Sequence, residues 1–173
     1  LRMVRDVKTL ETHLRQWNEQ PQTTPIGYIL SLEGADSIRE LEDLELAYRD
    51  GLRALGPAHY GKGRYAFGHD ETANLSEQGR ALLGEMQRLG ILLDVTHLSE
   101  PTFWDALDVF DGPVWASHHN CRALVDDPRQ LSDAQIRALA GRSCRGGAGS
   151  WARTVSVSMS RAIKRNSAWF CDR

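Results

Sequence analysis

Gly90-Ile91-Leu92-Leu93-Asp94-Val95-Thr96-His97-Leu98-Ser99 is the stretch from which the architecture follows. A glycine closes what precedes it, and Ile91 to Val95 is an apolar run of strand length. Ser99 or Glu100 then opens a helix bearing Phe103, Trp104, Leu107 and Val109. A near-continuous apolar run, rather than strict alternation, is what a strand covered on both faces requires. Pro113-Val114-Trp115-Ala116-Ser117 repeats the pattern downstream. Leu52-Arg53-Ala54-Leu55-Gly56 and Ile26-Gly27-Tyr28-Ile29-Leu30-Ser31-Leu32 repeat it upstream.

Helical periodicity fills the gaps between these runs. Val4, Val7, Leu10, Leu14 and Trp17 recur at three- and four-residue spacing, which predicts a helix over Met3 to Glu19 ended by Pro21 and Pro25. Asp36 or Ser37 can cap a helix through about Arg49, with Ile38, Leu41, Leu44 and Leu46 inward and Gly51 closing it. Asn74 or Ser76 can cap another, with Leu82, Leu83, Met86 and Leu89 inward. Ser132 with Gln135 is a capping box ahead of Ile136, Leu139 and Ala140. Tyr60 to Asp70 has no period and reads as a long loop. Strands alternating with helices predict an α/β fold, a parallel sheet with helices outside it.

The 173 residues are 41% hydrophobic and 25% charged, values of one globular domain with a sizeable core. A net charge of −2 gives no footprint for nucleic acid, and no apolar run approaches the roughly 20 residues that span a bilayer. Three cysteines without C-x-x-C pairing favour a reducing compartment, so the expected location is cytoplasmic. Charge is divided unevenly along the chain. Residues 142–173 hold seven Lys or Arg against Asp172 alone and contain no leucine, whereas residues 1–141 hold all twenty-one leucines and carry −8. Two segments are therefore expected: 1–141, and a basic Ser/Arg/Gly-rich tail over 142–173 that adds little to the core. The tail resembles translation in a wrong reading frame; a genuine basic tail is the alternative. Under the first reading Trp151, Val155, Val157 and Trp169 stay unburied.

Side chains with chemistry share one address. Glu33 follows the first of the four apolar runs, His59 the second, His97 the third and His118 the fourth. In parallel α/β folds, ligands gather at the carboxyl ends of strands, where the loops converge. A lone histidine after a strand is usually a loop or cap residue; four such side chains at four successive strand ends point to a shared site. Two imidazoles and a carboxylate suit zinc or a similar borderline metal with an open position for water. His13 and His69 are assigned to surface or loop, His119 to a structural or exposed position, and Asp94 to support of His97 rather than to a metal.

These motifs, in order, closely resemble the membrane (renal) dipeptidase family of zinc metallopeptidases. The resemblance rests on Ser31-Leu32-Glu33-Gly34-Ala35, on Tyr48-Arg49-Asp50-Gly51-Leu52-Arg53 followed by His59, and on Leu75-Ser76-Glu77-Gln78-Gly79 through Gly90. It continues through Leu93 to Ser99 with Phe103-Trp104-Asp105, Pro113 to His118, Arg122-Ala123-Leu124 and Pro128 to Asp133. It covers about residues 1–141 and implies a TIM-like (β/α)8 barrel, partial here with about four parallel strands, and a two-zinc centre. By resemblance Glu33 bridges the ions, His97 and His118 bind the second, His59 polarises the scissile carbonyl, and Arg129 holds substrate or the tetrahedral intermediate. The implied activity is hydrolysis of dipeptides by metal-activated water.

The chain departs from the family pattern in two places. The His-x-Asp pair that binds the first zinc is absent, since Leu14 and Arg15 follow His13, and so is the late-strand aspartate that manages protons. A complete barrel of this type needs roughly 250 residues. The expectation is a partial barrel that holds one zinc or none and is weak or inactive. The alternatives are a catalytically silent relative that binds a ligand or partner, or a related metal-dependent amidohydrolase acting on a non-peptide amide.

Overall fold

The computed structural model describes residues 1–145, and side chains through Arg142. Its elements run β1 (Arg2–Met3), α1 (Val7–Glu19), β2 (Gly27–Tyr28), β3 (Leu30–Glu33), α2 (Leu41–Asp50), β4 (Leu52–Gly56), α3 (Glu77–Leu89), β5 (Leu92–Asp94), α4 (Glu100–Val109), β6 (Val114–Trp115) and α5 (Asp133–Arg145). Strands β3, β4, β5 and β6 form one parallel sheet in sequence order. A doubly wound sheet would reverse direction at a switch point; winding onward without reversal is how a (β/α) barrel is built. The expected partial barrel with four parallel strands is present.

Helices α3, α4 and α5 start where their capping chemistry permits. Ser76 Oγ accepts from Gly79 N–H at 2.9 Å to begin α3, and Ser99 Oγ accepts from Thr102 N–H at 3.3 Å to begin α4. The capping box closes as expected: Ser132 N–H donates to Gln135 Oε1 at 2.8 Å, and Gln135 N–H to Ser132 Oγ at 3.3 Å. Gly51 ends α2 at φ 119°, a left-handed conformation that costs glycine little.

The core lies between this sheet and α2 to α4. Leu44, Leu55, Leu82, Leu83, Met86, Ile91, Leu93, Phe103 and Phe110 have no solvent exposure. Several local expectations need correction. The first helix begins at Val7, because Asp6 accepts from Thr9 N–H and so caps there, while Arg2–Met3 pair with Gly27–Tyr28 as a second small parallel sheet. The apolar run from Ile26 is split at Ile29 into β2 and β3. Helix α2 starts at Leu41; Asp36 is not its cap, but accepts from Arg64 N–H at 2.8 Å and ties down the 60–70 loop. Leu46 faces outward.

His13 is buried rather than on the surface. It lies on the inner face of α1 against Gly27, whose missing side chain leaves room for the imidazole ring. At the other end, α5 runs past position 141 to Arg145, and Arg142 donates to the carbonyls of Leu107 and Phe110 at the end of α4. Trp151, Val155, Val157 and Trp169, with the rest of the expected tail beyond 145, lie outside the described residues.

Candidate metal centre

Parallel pairing fixes the site before any side chain is considered. Register places Glu33 beside Gly56, Leu55 beside Leu93, and Asp94 beside Trp115, so the four carboxyl ends lie side by side. Glu33 is the last residue of β3, and Gly34 follows at φ 80°, turning the chain away with an ideal Cβ position only 3.5 Å from His59 Cβ. His59, His97 and His118 come from the loops after β4, β5 and β6.

Their ends meet. Glu33 Oε1 is 2.7 Å from His97 Nε2 and 3.0 Å from His118 Nε2, and the two Nε2 atoms are 3.3 Å apart. The ligand-capable atoms of these three residues all lie within 4.8 Å of one another, the one such trio among the described residues. His59 Nε2 stands 3.9 Å from the same carboxylate oxygen. Two nitrogens and an oxygen converging this closely form a donor set that a divalent cation satisfies. The floor is buried, with the His97 side chain 4% exposed, and the rim is open, with Glu33, His59 and His118 about half exposed.

His97 is held under strain. It has φ 71°, the one non-glycine residue with positive φ among those described, a conformation that costs on the order of 1–3 kcal/mol and concentrates at functional sites. Burial pushes its pKa down to about 4; the positive charge of Arg129 and the nearby His59 act in the same direction, while Glu33 opposes them. The ring is therefore neutral near pH 7, the form that ligates a metal. His119 is shifted to about 3, again mainly by burial and then by Arg129. Its Nδ1 lies 3.5 Å from Thr96 Oγ1, and it is not one of the converging trio.

Asp94 supports the site differently from expectation. Its Oδ1 makes no bond to the His97 ring. Instead it accepts from the backbone N–H groups of Thr96 at 3.0 Å and Ser117 at 3.2 Å, holding together the loops that carry His97 and His118. Arg129 anchors one arm, with Nη2 donating to the His118 carbonyl at 2.9 Å, and its Nη1 is buried without a partner.

Two residues of the aperiodic loop belong here as well. The His69 ring stands 5.4 Å from that of His97, with Nδ1 atoms 3.5 Å apart. Tyr60, largely exposed, packs edge-on against His59 at 4.4 Å and against His69 at 5.1 Å. Sequence reading placed His69 in a loop but gave it no part in the site, and left Tyr60 unremarked. The one local signal was a tyrosine directly after His59.

The membrane dipeptidase family (peptidase family M19) matches residues 2–144. The dipeptidase tcpJ of Claviceps purpurea is 36% identical over 121 residues, which is 65% of this chain and 28% of that protein. An uncharacterized protein encoded in the PQQ-III 3' region of Acinetobacter calcoaceticus is 32% identical over 66% of this chain and 39% of its own length. Among solved structures, the M19 metallopeptidase dipeptidase AC superposes with a TM-score of 0.67 at 29% identity, over 82% of this chain and 43% of that one. A metallopeptidase from Rhodobacter sphaeroides, solved with a phosphinate mimic of L-Ala-D-Ala, gives 0.61 at 26% identity over 82% and 49%. The chain thus spans less than half the length of these relatives. Over the great majority of its residues, it belongs to the membrane dipeptidase family, peptidase family M19.

Proposed function

We propose that the chain is built for metal-dependent hydrolysis of dipeptides, with Glu33, His97 and His118 as metal ligands and His59 and Arg129 acting on the substrate. The observation that supports this most is the convergence of Glu33 Oε1 and two imidazole Nε2 atoms within 3.3 Å, with His59 beside them. The nitrogen and oxygen donor set suits zinc. When bound, zinc supplies a water nucleophile near neutral pH and polarises a carbonyl.

The protein's own contributions follow from placement. Glu33 offers a second carboxylate oxygen, enough to bridge two ions as the family resemblance implies. His59, half exposed on the rim, presents an imidazole to the scissile carbonyl and stabilises its oxygen as charge develops. Arg129, held by the His118 carbonyl, keeps Nη1 for the carboxylate of a short peptide or for the tetrahedral intermediate. The solved relative that binds a dipeptide mimic supports this substrate class. Free Cys121 suits a reducing, cytoplasmic setting.

One trio among the described residues, set against a family pattern of two ions, points to at most one zinc and to weak turnover. Losing one electrostatic contact to the developing charge costs about 10² to 10³ in rate. The test is zinc titration with dipeptide hydrolysis assayed alongside. The chain is expected to bind zinc, to lose that binding in Glu33→Ala and His97→Ala, and to hydrolyse dipeptides about 10²-fold or more slowly than a full-length relative. Zinc binding indifferent to both substitutions overturns the reading.

A further inference from the structure

We propose that Ser117 is the positioning residue of His118, its hydroxyl fixing both the rotation of the imidazole and which ring nitrogen faces Glu33. The inference rests on the metal-centre reading above. Ser117 Oγ lies 2.8 Å from His118 Nδ1 and 3.1 Å from Thr96 Oγ1. Both hydroxyl-bearing residues are held by their backbones: Ser117 N–H donates to Asp94 Oδ1 and to Thr96 Oγ1 at 3.2 and 3.1 Å, and Thr96 N–H to Asp94 Oδ1 at 3.0 Å. A relay therefore crosses between the ends of β5 and β6 and terminates on the ring of His118.

The direction of the relay follows from the far side of that ring. Nε2 faces Glu33 Oε1 and His97 Nε2, and a ligand nitrogen must present a lone pair. The ring proton then belongs on Nδ1, where Ser117 Oγ accepts it. The Ser117 hydroxyl in turn donates to Thr96 Oγ1, and the Thr96 hydroxyl is left to face His119 Nδ1 at 3.5 Å. Each hydroxyl both accepts and donates, so no position in the chain is wasted. His118 is about half exposed, and Ser117 holds the Nδ1 edge of its ring opposite the edge that faces Glu33. Partners of this kind typically change metal affinity by about 10- to 100-fold when removed.

The experiment uses the full chain, with zinc alone as the probe in competition with a chromophoric chelator, and ring nitrogen NMR of His118. Ser117→Ala removes the hydroxyl and keeps the backbone N–H bonds. It is expected to weaken zinc binding by about 10- to 100-fold, with Ser117→Thr restoring most of the loss. NMR is expected to find the proton on Nδ1 in the parent chain and distributed over both nitrogens in Ser117→Ala. If His118→Ala weakens zinc binding while Ser117→Ala matches the parent, this inference alone is overturned. If His118→Ala binds as the parent does, the metal-centre reading falls and the inference with it. Should Ser117→Ala not fold, a His118 ring protonated on Nε2 in the parent chain overturns the proposal independently.

Discussion

His97 shows how one residue ties the site to the stability of the chain. Its ring is buried, its backbone is left-handed, and Arg129 and His59 stand near enough to discourage a positive charge, with Glu33 opposing them. His119, facing Arg129, Asp94, His118 and His97, is depressed further, to about 3. Both histidines are neutral in the fold at pH values where an unfolded chain, with a histidine pKa near 6.5, protonates them. The unfolded state then binds more protons, so stability falls as pH falls from about 6.5 towards 4. Thermal melts in the presence of a chelator are expected to drop across that window, and His119→Gln is expected to shrink the drop. A melting temperature flat from pH 7 to 4 would show that these rings are not held neutral. Such residue-scale effects are invisible to a sequence reading. The histidines themselves could be picked out at strand ends, but their burial, the reach of Arg129, and the part taken by His69 and Tyr60 depend on how the loops fold back. Asp94 was readable as a support for the same reason the strand was, an acid inside an apolar run. That it works through two backbone N–H groups required the register of β5 and β6.

At the scale of elements, local chemistry decided most boundaries. Helix α3 is the clearest case, with a serine cap, Leu82, Leu83 and Met86 wholly buried, and a glycine in left-handed conformation after it. Ser76 Oγ also donates to the Tyr65 carbonyl at 2.8 Å, so the cap fastens the 60–70 loop as well as the helix. Ser76→Ala is expected to cost about 1 kcal/mol from the cap, read as a shift in the denaturation midpoint with unchanged slope. Phe103→Ala, emptying a site with no exposure between α4 and the sheet, is expected to cost about 3–5 kcal/mol. A smaller loss than the cap variant would mean the core around α4 is not packed as described. Where element-scale reading failed, a competing local bond was responsible. Asp36 read as a helix cap but is taken by Arg64 across the loop, while Asp6, inside the expected first helix, is the residue that caps it. His13 read as a surface residue because its neighbours Leu14 and Trp17 carried the apolar stripe. Gly27 on another element, too distant in sequence to register as a partner, opened the space that buries it.

The described residues form a run of barrel strands that does not close on itself. Among the described residues, β3 and β6 are each paired on one side only, and β6 is two residues long. Relatives that superpose on this chain are matched over only 43% and 49% of their own lengths. On the α1 and β2 side, a groove of about 500 Å³ is lined by Val4, Leu10, Trp17, Ile26, Tyr28 and Trp115, and the Trp115 Nε1–H is buried without a partner. Ile26 is 62% exposed. An open parallel edge beside exposed apolar side chains is the arrangement that β proteins ordinarily cover, because unpaired strands and apolar patches recruit other chains. The core between the sheet and α2 to α4 is nonetheless continuous, so the chain has reason to fold before it associates. The expected outcome is a folded species whose apparent mass by light scattering rises with concentration and which binds a hydrophobic dye. Ile26→Lys, which places a charge on the rim of the groove without touching the core or the metal ligands, is expected to lower both signals while leaving the melting temperature nearly unchanged. A sharp, cooperative monomer whose mass is constant at all concentrations would mean that this side is satisfied within the chain itself, and that the sheet edges are better protected than their pairing indicates.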